Sequence, residues 1–233
     1  MGEVIRKSAA VEDIVADGRQ SLLRAQARGG AYHKAADQAL VPALSLFDAV
    51  DAKYRALDTT LAPLLATQRS ADDHADALVG RISDSVWNDV GRPATGSDGS
   101  YETLFPSGIS FYTDGDDDQQ PERMRLLADL LESGLHPRLD PAAAKLYGKQ
   151  LRDEADLLER TLDAIRTPRT RLALYSRMRT AAGKNVQVAL SRFKRLLRAS
   201  DVSESDIHAI IPDRPTAPKK PTPLPDPGAP QTP

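Results

Sequence analysis

The chain has 233 residues and no cysteine, and its 31 Lys plus Arg against 33 Asp plus Glu leave a formal charge of −2. That length can bury a substantial apolar core. The missing thiols exclude a disulfide scaffold, a cysteine nucleophile and cysteine-ligated metal sites. The longest apolar run, Ala39 to Phe47, is closed by Asp48, well short of the roughly 20 residues that span a bilayer. Glu3, Arg6 and Lys7 leave no apolar stretch for a secretory signal, so a cytoplasmic setting is expected.

The elements follow from apolar spacing. Val4, Val11, Val15, Leu22 and Ala25 predict a first helix, stopped by Gly29-Gly30 and folded back on its successor as a hairpin. The next segment carries the strongest pattern: Ala43, Phe47, Val50, Tyr54, Leu57, Leu61, Leu64, Gln68, Ala71, Ala75, Leu78 and Ile82 alternate at three and four residues. That is the 3.5-residue period of a coiled-coil seam. Pro42 is placed at the tolerated first turn of this helix, and Pro63 is expected to kink it. Forty residues at ~1.5 Å each make a rod of about 60 Å, so an elongated molecule is expected.

From Gly91 to Gln120 the chain is rich in Gly, Asp, Ser and Pro, and it holds Trp87's nearest aromatic neighbours in sequence: Tyr101, Phe105, Phe111 and Tyr112. Residues 101–105 and 109–113 flank Pro106-Ser107-Gly108, which predicts a small β-hairpin. A short amphipathic helix is expected over 121–132. Asp140-Pro141 opens another helix, with a stripe at Ala144, Gly148, Leu151, Ala155, Leu158, Leu162 and Ile165. The pattern continues past Thr167-Pro168 through Leu172, Tyr175, Arg179, Ala182, Val186, Ala189, Phe193 and Leu196. A kinked rod is favoured over a reversal there, because no glycine stands at Thr167. Nine of the 17 prolines fall in 212–233, which reads as a disordered Pro-rich tail. Its Pro215-Thr216-Ala217-Pro218-Lys219-Lys220 fits a ligand of polyproline-recognition domains. The expected fold is all-α: an elongated antiparallel helical bundle or coiled coil with a small β-hairpin-like insert. Its segments are 1–90, 91–120, 121–211 with a basic helix at 166–199, and the tail at 212–233.

The near-zero charge conceals two blocks. Ten bases and no acid lie between Ala164 and Ser200, whereas Ala35 to Asp118 holds 15 acids against five bases. Either the basic helix lies against the chain's own acids, which is the favoured reading, or it binds an external polyanion. No nucleophile elbow, phosphate loop or metal-ligand spacing is present, so no catalytic residue, cofactor or metal is assigned. The Asp114, Asp116, Asp117, Asp118 run begins like a calcium loop but has Gln119 and Arg125 where Gly and Glu are needed. His74, within Asp72-Asp73-His74-Ala75-Asp76, belongs to a solvated face.

The expected function is that of a non-enzymatic structural or adaptor protein that self-associates or holds a protein partner. Trp87, Tyr101, Phe105, Phe111 and Tyr112 are the candidate partner-binding residues, although packing on the bundle end is the commoner role for such rings. The alternative is nucleic-acid binding over 166–198, through Arg177, Arg179, Lys184, Arg192, Lys194 and Arg195. A helical rod with a β-tongue also resembles the α-pore-forming proteins. That resemblance implies membrane entry by 101–113, for which this segment is too polar and too short.

Overall fold

The computed structural model describes residues 9–90, 100–134 and 138–212. Val4, the first part of the expected insert and the tail beyond Pro212, with its P-x-x-P motif, lie outside them. The described chain is helical: α1 (Val11–Arg28), α2 (Gly30–Val90), α3 (Ser100–Leu104), α4 (Ser110–Thr113), α5 (Gln120–Glu132), α6 (Pro141–Ala199) and α7 (Glu204–Ile210). It divides into two compact units, one made of Met1–Ala52 with Ser176–Pro233 and the other of Lys53–Tyr175. The division cuts across α2 and α6, because each long helix contributes one stretch to each unit.

The first unit joins α1, the start of α2, the end of α6 and α7. Gly29 and Gly30 both adopt positive φ, 70° and 53°, a conformation that costs glycine little. The reversal puts Gly18 beside Leu44 and pairs Arg19 with Asp48, as the expected hairpin requires. The core holds Val15, Leu40, Leu44, Phe47, Val186, Leu190, Phe193 and Leu197, closed by Ile207 and Ile210 of α7 and by Ile211 just after it. In the second unit Val79, Ile82 and Val86 of α2 meet Met124 and Leu127 of α5 and Leu151, Leu158 and Leu162 of α6. There α5 runs antiparallel to α6: Arg125 bonds Asp156 and Glu159 at one end, and Arg152 bonds Asp129 and Glu132 at the other.

Two sequence expectations are corrected. Pro42 does not start the second helix, which begins at Gly30 and carries both Pro42 and Pro63 inside it. Each of Pro42, Pro63 and Pro168 leaves unbonded the carbonyl four residues before it, on Gln38, Thr59 and Ala164. All three of those residues are exposed, so water can take the freed carbonyl and the helix continues. The helix over 141–199, by contrast, runs without reversal as favoured from the sequence.

The second correction concerns the insert. The strands expected at 101–105 and 109–113 are not formed: α3 and α4 are helical turns joined by a short extended stretch, Pro106–Ile109. The reason lies in burial. Leu104 and Phe105 are adjacent and both fully buried, whereas a half-buried strand sends neighbours to opposite faces. The hairpin behind the pore-forming resemblance is therefore absent.

Candidate functional site

The ten bases of 166–198 divide into two groups. Arg166 donates to Asp163 at 2.9 Å and lies 3.8 Å from Asp118. Arg179, lying 5.6 Å from the centre of the Phe47 ring, donates to Asp51 at 2.5 Å and to Glu12 at 2.8 Å. Asp51 is only 8% exposed, so this guanidinium neutralises a carboxylate that has little water of its own. Lys194, 3.4 Å away, and Arg198 converge on Glu204 of α7. The Arg198 hydrogen bond, with a further one from Lys194, brings the Glu204 carboxyl down to about 2.

The other six, Arg169, Arg171, Arg177, Lys184, Arg192 and Arg195, are exposed and make no ion pair among the described residues. The expected neutralisation of the basic helix by the 35–118 acids is thus confined to Arg166 with Asp118 and Arg179 with Asp51. Of the six candidate polyanion residues, Arg179 and Lys194 are engaged and four are bare among the described residues.

Those four share one face of α6 in the first unit. Arg177 and Arg195 are 18 residues apart, five full turns, so they point the same way about 27 Å apart along the axis. Lys184 falls about 20° from that line and Arg192 about 60°. Between them Val188 is 65% exposed and Ala181 is also in water, and beyond Arg192 lie exposed Asn185 and Met178, the latter 40% exposed and about 100° from that line. The opposite face is the core face, with Ala182, Val186, Ala189, Leu190, Phe193 and Leu197 buried. Sequence reasoning followed that inner stripe and missed Met178 and Val188, although 178, 181, 185, 188, 192 and 195 repeat the same three-four spacing one position away.

No family model, curated protein or solved structure matches the chain. Residue chemistry is therefore the whole basis for reading its function. No helix among the described residues is long and apolar enough to cross a membrane.

The aromatic candidates lie together, but most of them are structural. Phe105 and Tyr112 are 1% exposed and meet edge to face at 5.6 Å. The Tyr112 hydroxyl donates to the Leu104 carbonyl at 2.6 Å. Tyr101 stacks on Phe105, meets Trp87 edge-on and shares a 2.5 Å hydrogen bond with Ser83. Phe111 is the exposed ring of the five, at 43%, with Arg123 over its face. The five therefore form a ladder that fastens α3 and α4 to α2, and Phe111 alone among them is open to a partner.

A second charged cluster lies in the other unit. Burial raises the carboxyls of Asp72 and Asp76, and nearby Asp117 and Asp73 push both further. Gln120 partly offsets this by donating to Asp76 at 2.7 Å, and Gln68 donates to Asp117 at 3.3 Å. Among the described residues no group of three or more ligating side chains could hold a metal ion, and His74 is exposed.

Proposed function

We propose that this chain is a non-enzymatic, adaptor-like binding protein and that its working surface is the outer face of α6 from Arg177 to Arg195. One observation carries the reading: four cations without an ionic partner among the described residues flank exposed Val188 on a helix whose opposite face is locked into the core. An unneutralised row of this kind attracts a polyanion and gives up bound counterions when one docks. Self-association through the heptad stripes is the weaker form of the adaptor reading. All twelve positions from Ala43 to Ile82 are buried or half-buried within the chain itself. A cytoplasmic setting, where polyanions are abundant, goes with this reading.

Calorimetric titration of the full chain with heparin and with polyglutamate tests it. Binding of at least one of them is expected, with loss of that binding in the Arg177→Gln/Lys184→Gln/Arg192→Gln/Arg195→Gln variant at unchanged helix content. Equal binding by the variant would move the working surface elsewhere.

A further inference from the structure

We infer that the polyanion taken by the outer face of α6 is a nucleic acid duplex, held through its phosphates without reading its sequence. This rests on the working surface proposed above and names its occupant.

Three observations select a duplex. The first is the row itself. Arg177, Lys184 and Arg195 lie within about 20° of one line over about 27 Å, and Arg192 flanks them. A stiff, evenly charged rod can meet all four together. An α-helix exposing bases on one side is the electrostatic footprint of backbone binding.

The second observation argues against an acidic protein helix. A helical partner would pack along 178, 181, 185, 188, 192 and 195, the face's own three-four stripe. Those positions hold Met178, Ala181, Asn185, Val188, Arg192 and Arg195. Half of such a seam is polar, and its last two members are arginines whose charge would have to be desolvated at the centre of the interface. Phosphates on a duplex surface meet the same arginines while both stay partly in water. The exposed methyl groups of Val188 then cover sugar surface.

The third observation separates duplex from single strand. Between Ser176 and Ala199 the exposed residues besides the cations are Ser176, Met178, Thr180, Ala181, Asn185, Val188 and Ala199. None is aromatic, so the face offers no ring on which an unpaired base can stack. Acids are also missing from it: Glu204, the acid that closes the end of α6, is occupied by Lys194 and Arg198. Arg169 and Arg171, also bare among the described residues, belong to the other unit and are not part of the contact.

The experiment is fluorescence anisotropy on the full chain with labelled 20-base-pair DNA duplexes of two unrelated sequences, the matching single strands, labelled polyglutamate and anionic vesicles, between 50 and 200 mM salt. Four phosphate contacts predict a slope of about −3.6 in log K against log salt, a loss of about 150-fold over that range. The two duplexes should bind equally. Arg195→Gln alone should flatten the slope by about one, and the fourfold Gln variant should lose binding while keeping its helical circular dichroism and melting temperature. Tighter binding of single strands than of duplex, or of one duplex sequence by more than about tenfold, overturns the proposal. If polyglutamate or vesicles bind through the same four residues and duplex does not, the duplex falls and the working surface stands. If the fourfold variant binds duplex as the native chain does, or if no probe binds, both fall.

Discussion

Asp72 and Asp76 show how a residue can act against the fold that contains it. Burial, reinforced by the neighbouring carboxylates, holds both carboxyls above their ordinary range in the folded chain. The folded state therefore keeps protons that the unfolded chain releases. The cluster costs least at low pH, and stability is lost as pH rises through the raised folded values. Asp72→Asn should raise stability at pH 7 by about 0.5 kcal/mol and leave it unchanged near pH 3, as read from urea melts at the two pH values. Glycine gives a sharper contrast. A Cβ on Gly18 would lie 2.8 Å from Val186 Cγ1, inside the core, whereas one on Gly80 meets nothing within 4 Å. Alanine gains about 1 kcal/mol over glycine within a helix, and forced overpacking costs about 1–3 kcal/mol. Gly80→Ala should thus stabilise by up to about 1 kcal/mol and Gly18→Ala should destabilise by about as much, both measurable from denaturant midpoints. Sequence pattern identified neither case, since both glycines look like ordinary interruptions of a helix until the neighbour across the gap is known.

Periodicity was a reliable guide to the elements wherever it ran long. The stripes from Ala43 to Ile82 and from Ala144 to Ile165 became buried faces, because a sustained three-four repeat has no other economical way to hide its apolar side. It failed over 101–113, where adjacent Leu104 and Phe105 are both buried, together with Tyr112, at helical turns held by the Tyr112 hydroxyl bond, while Phe111 stays exposed. The outer face of α6 was legible as charge but not as exposure, since the same spacing that places Val186 and Phe193 inside leaves Val188 and Arg195 outside. Glu204 was equally hidden, as its value depends on α7 folding back on Lys194 and Arg198. Its lowered carboxyl contributes stability that is present above the unfolded value and disappears as pH falls toward about 2. Glu204→Gln should therefore speed amide exchange at Ile210 and Ile211 by roughly 3- to 10-fold at neutral pH, with the core amides of Val186 and Leu190 unaffected. As pH falls toward about 2, exchange of the native chain at these two sites should approach that of the variant.

Over the whole chain, the formal charge of −2 is a sum over two dissimilar units. Lys53–Tyr175 contains 15 bases and 21 acids, a net of −6; the other unit contains 16 and 12, a net of +4. Net charge governs solubility and bulk migration, but adsorption and docking respond to the field near one surface, because salt screens beyond about 8–10 Å. A uniform protein of pI near 6.1 would pass a sulfonate resin at pH 7.5 and be retained by a quaternary-amine resin. This chain should be retained by both at about 50 mM salt, the sulfonate resin seeing the bare row on α6 and the amine resin the acids around Asp72 and Asp117. The fourfold Gln variant, four charges more negative, should pass the sulfonate resin and bind the amine resin more tightly, whereas Asp72→Asn should leave sulfonate retention unchanged. Passage of the native chain through the sulfonate resin would show that the row of α6 is neutralised in solution. The local field on which the binding proposal depends would then not exist.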